Sequence, residues 1–225
     1  YSQAESLLLD ELGLKNFESE IKKELWNVVK LSDTRKANRI DAEYFQPRYE
    51  NLVSKLKNEN PKILEEFVKE YSTGYPFKSE NYLEQGIPLI RINNIRKGFV
   101  DLNGPAYLSQ KDYLLSLKDT AKSGDIILSM SGTIGMTAVI PDDIPKCSIN
   151  QRILKITPKN IDKDFLALLL NSSVGSYQLE RIGTGGVQTN ISYKEIKNIL
   201  IPTLTEKTQQ KIAEIVRKSH GAREK

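Results

Sequence analysis

Two short strings in this 225-residue sequence carry the residue types of a magnesium-dependent nuclease, Pro141-Asp142 and Glu195-Ile196-Lys197. In such a site two carboxylates hold the metal and a lysine stands beside the phosphate. The strings lie far apart, however. Asp142-Asp143-Ile144-Pro145 reads as a turn between strands, and Lys194-Glu195-Ile196-Lys197 as a solvated helical face. Serine chemistry is no better served, because Ser129-Met130-Ser131-Gly132 lacks the first glycine of a nucleophile elbow and the sole histidine, His220, lies in a charged terminal segment. Gly183-Thr184-Gly185-Gly186 continues into Val187 and Gln188, where a phosphate-cradling loop requires Gly-Lys-Ser/Thr. Asn60-Pro61-Lys62 lacks the aromatic residue of an adenine-methyltransferase loop. One cysteine, Cys147, and one histidine supply no zinc ligand set and no internal disulfide, which fits a reducing, cytoplasmic setting. These residues point away from catalysis.

Recognition chemistry is better represented. Guanidinium and ammonium groups match phosphates and guanine acceptors, and Asn and Gln amides match adenine. Arg91, Asn93, Asn94, Arg96 and Lys97 form a polar segment just after an apolar one, either a groove-facing loop or an ordinary solvated turn. Ser129, Ser131 and Thr133 surround Gly132 and Gly135, where hydroxyls could meet a phosphate or the glycines could simply make a tight hairpin. Gln151 and Arg152 open an apolar run whose alternation would aim one side chain inward and one outward. Thr184, Gln188, Thr189 and Asn190 lie in a glycine-rich loop suited to ordering on a ligand, although Asn190 with Ser192 would serve equally as a helix cap. Lys78 is a weaker candidate. Its neighbours Tyr75 and Phe77 suit packing better than base stacking.

The elements that must position these groups follow from hydrophobic periodicity. Ala4, Leu7, Leu8 and Leu12 mark a helix stopped at Gly13. Arg39 to Asn58 reads as a helix interrupted by Pro47, with Tyr49, Leu52 and Leu56 on its apolar face. Strands are expected at Pro88 to Ile92, Asp125 to Met130, Thr137 to Ile140, Ser148 to Ile156 and Ile199 to Pro202. Helices are expected at Phe165 to Leu170 and around Tyr177 to Ile182. Thr203 and Glu206 form a capping box for a final helix carrying Ile212, Ile215 and Val216. The expected fold is α/β (α+β), a mixed, barrel-like β-sheet flanked by helices, with a long C-terminal helix. The hydrophobic fraction of 39% suffices for a core, and no apolar run is long enough to span a bilayer. A net charge of +4 favours a polyanionic partner weakly. Residues 71–204 carry 15 Lys/Arg against 12 Asp/Glu and residues 205–225 carry 6 against 3, so any basic face belongs to the middle and the tail.

Three ordered segments resemble hallmarks of the recognition domain of type I restriction-modification specificity subunits. They are Ile87-Pro88-Leu89-Ile90-Arg91-Ile92-Asn93-Asn94-Ile95; Ser123-Gly124-Asp125-Ile126-Ile127-Leu128-Ser129-Met130-Ser131-Gly132-Thr133-Ile134-Gly135 with Asn150-Gln151-Arg152; and Gly183 to Ser192 leading to Ile199-Leu200-Ile201-Pro202. Arg39 to Phe45 resembles the entry to such a domain. The resemblance implies residues 1–30 as the end of a spacer helix and linker, 31–204 as a target recognition domain, and 205–225 as the start of a conserved C-terminal spacer helix. It further implies a non-catalytic, double-stranded DNA-binding subunit that directs adenine methylation and restriction by partners. Those partners are a modification (methyltransferase) subunit and a restriction subunit. No cofactor is expected on this chain, since S-adenosylmethionine, magnesium and ATP would belong to the partners. The apolar faces of the terminal helices would otherwise be exposed, so they are expected to pair with each other, with another copy in a homodimer, or with the modification subunit. The competing readings are the recognition domain of a fused type II restriction-methylation enzyme and a protein-interaction scaffold with no DNA role.

Overall fold

The computed structural model describes residues 1–21, 26–104, 106–144, 146–183 and 190–221. The chain opens with four helices, α1 (Ser2–Glu11), α2 (Phe17–Glu20), α3 (Leu31–Ala37) and α4 (Pro47–Lys57). Short strands follow: β1 (Lys62–Ile63), β2 (Val68–Ser72), β3 (Ile87–Ile90), β4 (Ile95–Arg96), β5 (Phe99–Val100) and β6 (Ala106–Leu108). After α5 (Gln110–Leu115) come β7 (Thr120–Ala121), β8 (Ile126–Ser129), β9 (Thr137–Val139), β10 (Cys147–Ile149) and β11 (Ile153–Pro158). Helices α6 (Lys163–Asn171), α7 (Ser173–Gly183) and α8 (Tyr193–Ile196), strand β12 (Leu200–Ile201) and helix α9 (Glu206–Gly221) complete the order.

The strands make two four-stranded sheets, in the orders β6-β3-β10-β7 and β2-β11-β8-β9, with the pairs β1-β12 and β4-β5 apart. The second sheet is antiparallel throughout. The first contains one parallel pair, Ser148 opposite Leu89 and Ile149 opposite Ile90. The expected mixed architecture is present, but the sheets do not close into a barrel, because each four-stranded sheet ends in two edge strands.

Strand periodicity explains the layering. Side chains alternate between faces along a strand. Ile126, Leu128, Leu154 and Ile156 point into a core shared with α1, α4, α6, α7 and α9, whereas Ile127, Ala138 and Ile153 point the other way, against Ile90, Cys147 and Ile149 of the first sheet. The second sheet is therefore buried on both faces, which is why its strands read as continuous apolar runs. The order of layers is helices, second sheet, first sheet. Lys155 follows the alternation toward the first sheet and is buried, with its ammonium donating to the Thr120 carbonyl at 3.1 Å.

Three local expectations need correction. Pro47 begins α4 instead of interrupting a longer helix, since proline is well suited to a first helical turn whose N–H groups lack intrahelical acceptors. The last helix is capped by Thr205, whose Oγ1 accepts from the Thr208 N–H at 3.3 Å; Thr203 instead donates to the Asn60 carbonyl at 3.2 Å. The run Ser148 to Ile156 is two strands broken at residues 150–152, where Arg152 adopts φ 70°. Elsewhere Asp162 caps α6, accepting from the N–H groups of Asp164 and Phe165 at 2.8 and 3.2 Å.

The terminal helices pack on each other and on α6. Ala4, Leu8, Ile212 and Ala213 are fully buried, and Val216 nearly so. Burying a leucine such as Leu8 is worth roughly 1.5–3 kcal/mol, and here the two helices bury these faces against each other and α6, the first of the expected pairings. Among the described residues no helix is long and apolar enough to cross a membrane.

Candidate nucleic-acid interface

The segment after β3 and the segment after β8, distant in sequence, meet at the broken strand between β10 and β11. Together they surround an open cleft of about 640 Å³ lined by Arg91, Asn93, Arg96, Gly132, Thr133, Asn150, Gln151 and Arg152 among others. Three arginines line it and, among the described residues, no Asp or Glu does. An open concave face with this charge and with amide and hydroxyl groups fits a polyanion whose edges also carry hydrogen-bonding groups.

Each side chain reaches the cleft for a local reason. Arg91 leaves β3 as the chain turns; its Nη2 donates to the Gly104 carbonyl at 3.3 Å and its guanidinium lies 5.8 Å from the Tyr82 ring centre. Among the described residues its Nε is buried without a hydrogen-bond partner. Arg96, in β4, donates through Nη1 to the Asn93 carbonyl at 2.7 Å and through Nη2 to Asp101 at 3.3 Å. Asn93 is exposed between them. Asn150 donates to the Tyr82 hydroxyl at 3.0 Å, and its Oδ1 accepts from the Gln151 N–H at 2.8 Å. This residue, together with Tyr82, holds the wall of the cleft; it stands in the second hallmark segment but was not among the candidate contact residues. Its place directly before Gln151 was the available signal.

Gln151 and Arg152 are both exposed, contrary to the alternation expected of a strand. The left-handed backbone of Arg152 breaks the alternation and turns the pair into the tip of the joint between the two sheets. Thr133 is exposed on the facing loop, and Ser131 bridges to Asn190, which brings that residue of the third sequence segment to the same rim. The cap of α8 is Ser192 with Glu195 and does not involve Asn190.

The other described candidates have structural partners, Ser129 at the cleft wall and the rest away from it. Asn94 is 2% exposed; its Oδ1 accepts from the Arg91 N–H at 3.0 Å and its Nδ2 donates to the Asp101 carbonyl at 2.9 Å, so its amide shapes the 91–101 loop. Ser129 is buried, donating to the Thr133 carbonyl and accepting from the Met136 N–H at 3.0 Å. Its hydroxyl closes the hairpin. Lys97 pairs with Glu5 of α1 at 2.9 Å, and Lys78 pairs with Glu80 at 3.6 Å; neither lines the cleft. Thr184, Gln188 and Thr189 lie outside the described residues. The nuclease-like strings stay apart in role: Asp142 accepts from Ser123, Glu195 caps its own helix, and Lys197 pairs with Glu65 at 3.0 Å. Among the described residues no His/Cys/Asp/Glu group could hold a metal ion.

Comparison with known proteins agrees with the segments that build this cleft. A family model described as the type I restriction modification DNA specificity domain matches residues 57–220. The chain is 28% identical over 132 residues to the type I restriction enzyme EcoBI specificity subunit of Escherichia coli, covering 58% of this chain and 28% of that protein. It is 30% identical over 154 residues to the MjaVIII specificity subunit of Methanocaldococcus jannaschii, covering 65% of this chain and 36% of that protein. The chain thus spans about a third of the length of these curated relatives. In fold it is similar to the S subunit of a type I restriction-modification system from M. genitalium, with a TM-score of 0.50 and 18% identity over 96% of this chain and 51% of that one. It is also similar to the type IIG restriction endonuclease BpuSI, with a TM-score of 0.57 and 11% identity over 89% of this chain and 32% of that one.

Proposed function

Because the chain belongs to the type I restriction modification DNA specificity domain family, we propose that it is a non-catalytic module that reads a short DNA sequence through the cleft at the joint of its two sheets. The observation that carries this reading is the convergence of Arg91, Arg96 and Arg152 with Asn93, Thr133 and Gln151 around one cleft that, among the described residues, no Asp or Glu lines. Cations there would neutralise phosphates, and the short polar side chains would meet base edges in a groove about 12 Å wide. The curated relatives are named as specificity subunits of restriction enzymes, and we read this chain in the same role. Its partners would be double-stranded DNA, a modification subunit and a restriction subunit. S-adenosylmethionine, magnesium and ATP would sit on those partners. The terminal helices would serve as the spacer that holds the module in place, with Leu8 and Val216 facing inward; a homodimer through them would have to use their outer faces.

A second reading, the recognition domain of a fused restriction-methylation enzyme, is favoured by the fold likeness to BpuSI. It would use the same cleft.

The test is selection from a random-sequence duplex pool by this chain mixed with a modification subunit, at moderate salt, followed by sequencing. Enrichment of a short motif containing an adenine is the expected result. Retention without enrichment, lost steeply as salt rises, would refute sequence reading.

A further inference from the structure

The cleft's three guanidinium groups are held in different ways, and the difference suggests what each does with DNA. Arg96 shares its charge with Asp101 and spends Nη1 on the Asn93 carbonyl. Arg91 is oriented by the Tyr82 ring and the Gly104 carbonyl. Arg152 has neither kind of hold: among the described residues its guanidinium meets no carboxylate, ring or carbonyl. Its root, by contrast, is fixed. The Arg152 carbonyl accepts from the Met130 N–H at 2.8 Å, and Gln151 before it donates its N–H to the Tyr75 carbonyl at 3.0 Å. The backbone at Arg152 takes φ 70°, a conformation disfavoured for any residue with a Cβ and common where a side chain must be presented in a set direction.

A side chain that recognises a base edge must have its donor plane locked by its surroundings, as the guanidinium of Arg91 is. A phosphate oxygen asks less, since it accepts a positive charge from many directions, and the counterions released reward an unshared charge most. We propose that Arg152 is a phosphodiester anchor, which contributes affinity and salt dependence at the joint of the sheets but carries no sequence information. This assignment rests on the reading of the cleft as the DNA face.

The experiment compares the full chain with Arg152→Ala, Arg152→Gly and Arg152→Lys, each mixed with a modification subunit, by selection from the duplex pool and by salt titration on the enriched duplex. Arg152→Ala and Arg152→Gly should enrich the same motif while binding more weakly at every sequence, and the slope of log affinity against log salt should become shallower by about 0.9. Arg152→Lys should keep both slope and motif. Glycine favours the left-handed backbone, so the Arg152→Gly chain should melt no lower than the parent, which separates lost contact from lost fold. A changed motif in Arg152→Ala, or failure of Arg152→Lys to keep the slope, would make Arg152 a base reader and overturn the assignment. An unchanged slope in Arg152→Ala would overturn it too, leaving the residue a bystander. Should the parent chain retain no duplex at all, the DNA reading of the cleft fails first and takes Arg152 with it.

Discussion

Gly74 sits where the backbone after β2 passes the cleft joint, and replacing it by alanine tests how tightly that joint is built. Its φ is +77°, and a Cβ there would lie 2.0 Å from the Asn150 carbonyl oxygen, 2.5 Å from the Asn150 carbonyl carbon and 3.0 Å from the Gln151 nitrogen. None of these atoms belongs to a flexible side chain. The backbone would have to part, and two hydrogen bonds hold it: Tyr75 N–H to the Ile149 carbonyl at 3.1 Å and Gln151 N–H to the Tyr75 carbonyl at 3.0 Å. The left-handed conformation costs alanine about 1 kcal/mol and each lost bond about 1 kcal/mol more, about 3 kcal/mol in all. For a chain of this size that lowers Tm by roughly 6–12 °C. Gly13→Ala is the matched control, because Gly13 has φ +63° and nothing within 4 Å of its Cβ position. It should cost only the conformational share, about 1 kcal/mol or roughly 2–4 °C. Thermal unfolding followed by circular dichroism reads both, and duplex retention should fall for Gly74→Ala alone as the Gln151-Arg152 tip is displaced. Equal melting points for the two variants would refute the close approach at the joint.

Two further perturbations address the core. Leu8→Ala empties a fully buried site on α1 and should cost about 3 kcal/mol, seen as a lower denaturant midpoint that is the same at low and high protein concentration. A midpoint that rises with concentration would mean that a second copy covers this face. Cys147 is buried in β10, and that burial, reinforced by the charge of Asp125, pushes its thiol from the ordinary 9.0 up to about 12. The folded chain should therefore resist a thiol-reactive dye at neutral pH and label only when unfolded. Because the folded pKa is the raised one, the thiol's contribution to stability is complete below 9.0 and is lost as pH climbs toward 12. Rapid labelling of the folded chain at neutral pH would contradict the burial.

Much of the fold was legible where a single physical rule dominates. The apolar runs within Asp125 to Met130 and Phe165 to Leu170 were expected as a strand and a helix, and they form β8 and the centre of α6. Residues 148–156 misled because apolar content alone cannot reveal a left-handed residue, and Arg152 is not a type that signals one. Barrel closure was out of reach for a related reason: edges are set by which strands pair, and the pairing of β10 with β3 spans more than half of a hundred residues without a local signal. Residues of the first two sequence segments line one cleft in the structure, a convergence that their separation in sequence does not reveal. Within them, residue type could not say which amide turns inward. Asn94 and Asn93 are adjacent and chemically identical, yet one is consumed by the Arg91 N–H and the Asp101 carbonyl while the other is exposed.

Tyr1 at the head of α1 lies edge-on to His220 near the end of α9, with ring centres 6.4 Å apart. The start of α1 and the end of α9 therefore lie side by side. A graft that carries this helix pair unchanged could exchange everything between its two members without altering the span from entry to exit. Under the proposed function, what is read and where the reader is held would then be separable properties, since the cleft is lined by residues outside this helix pair.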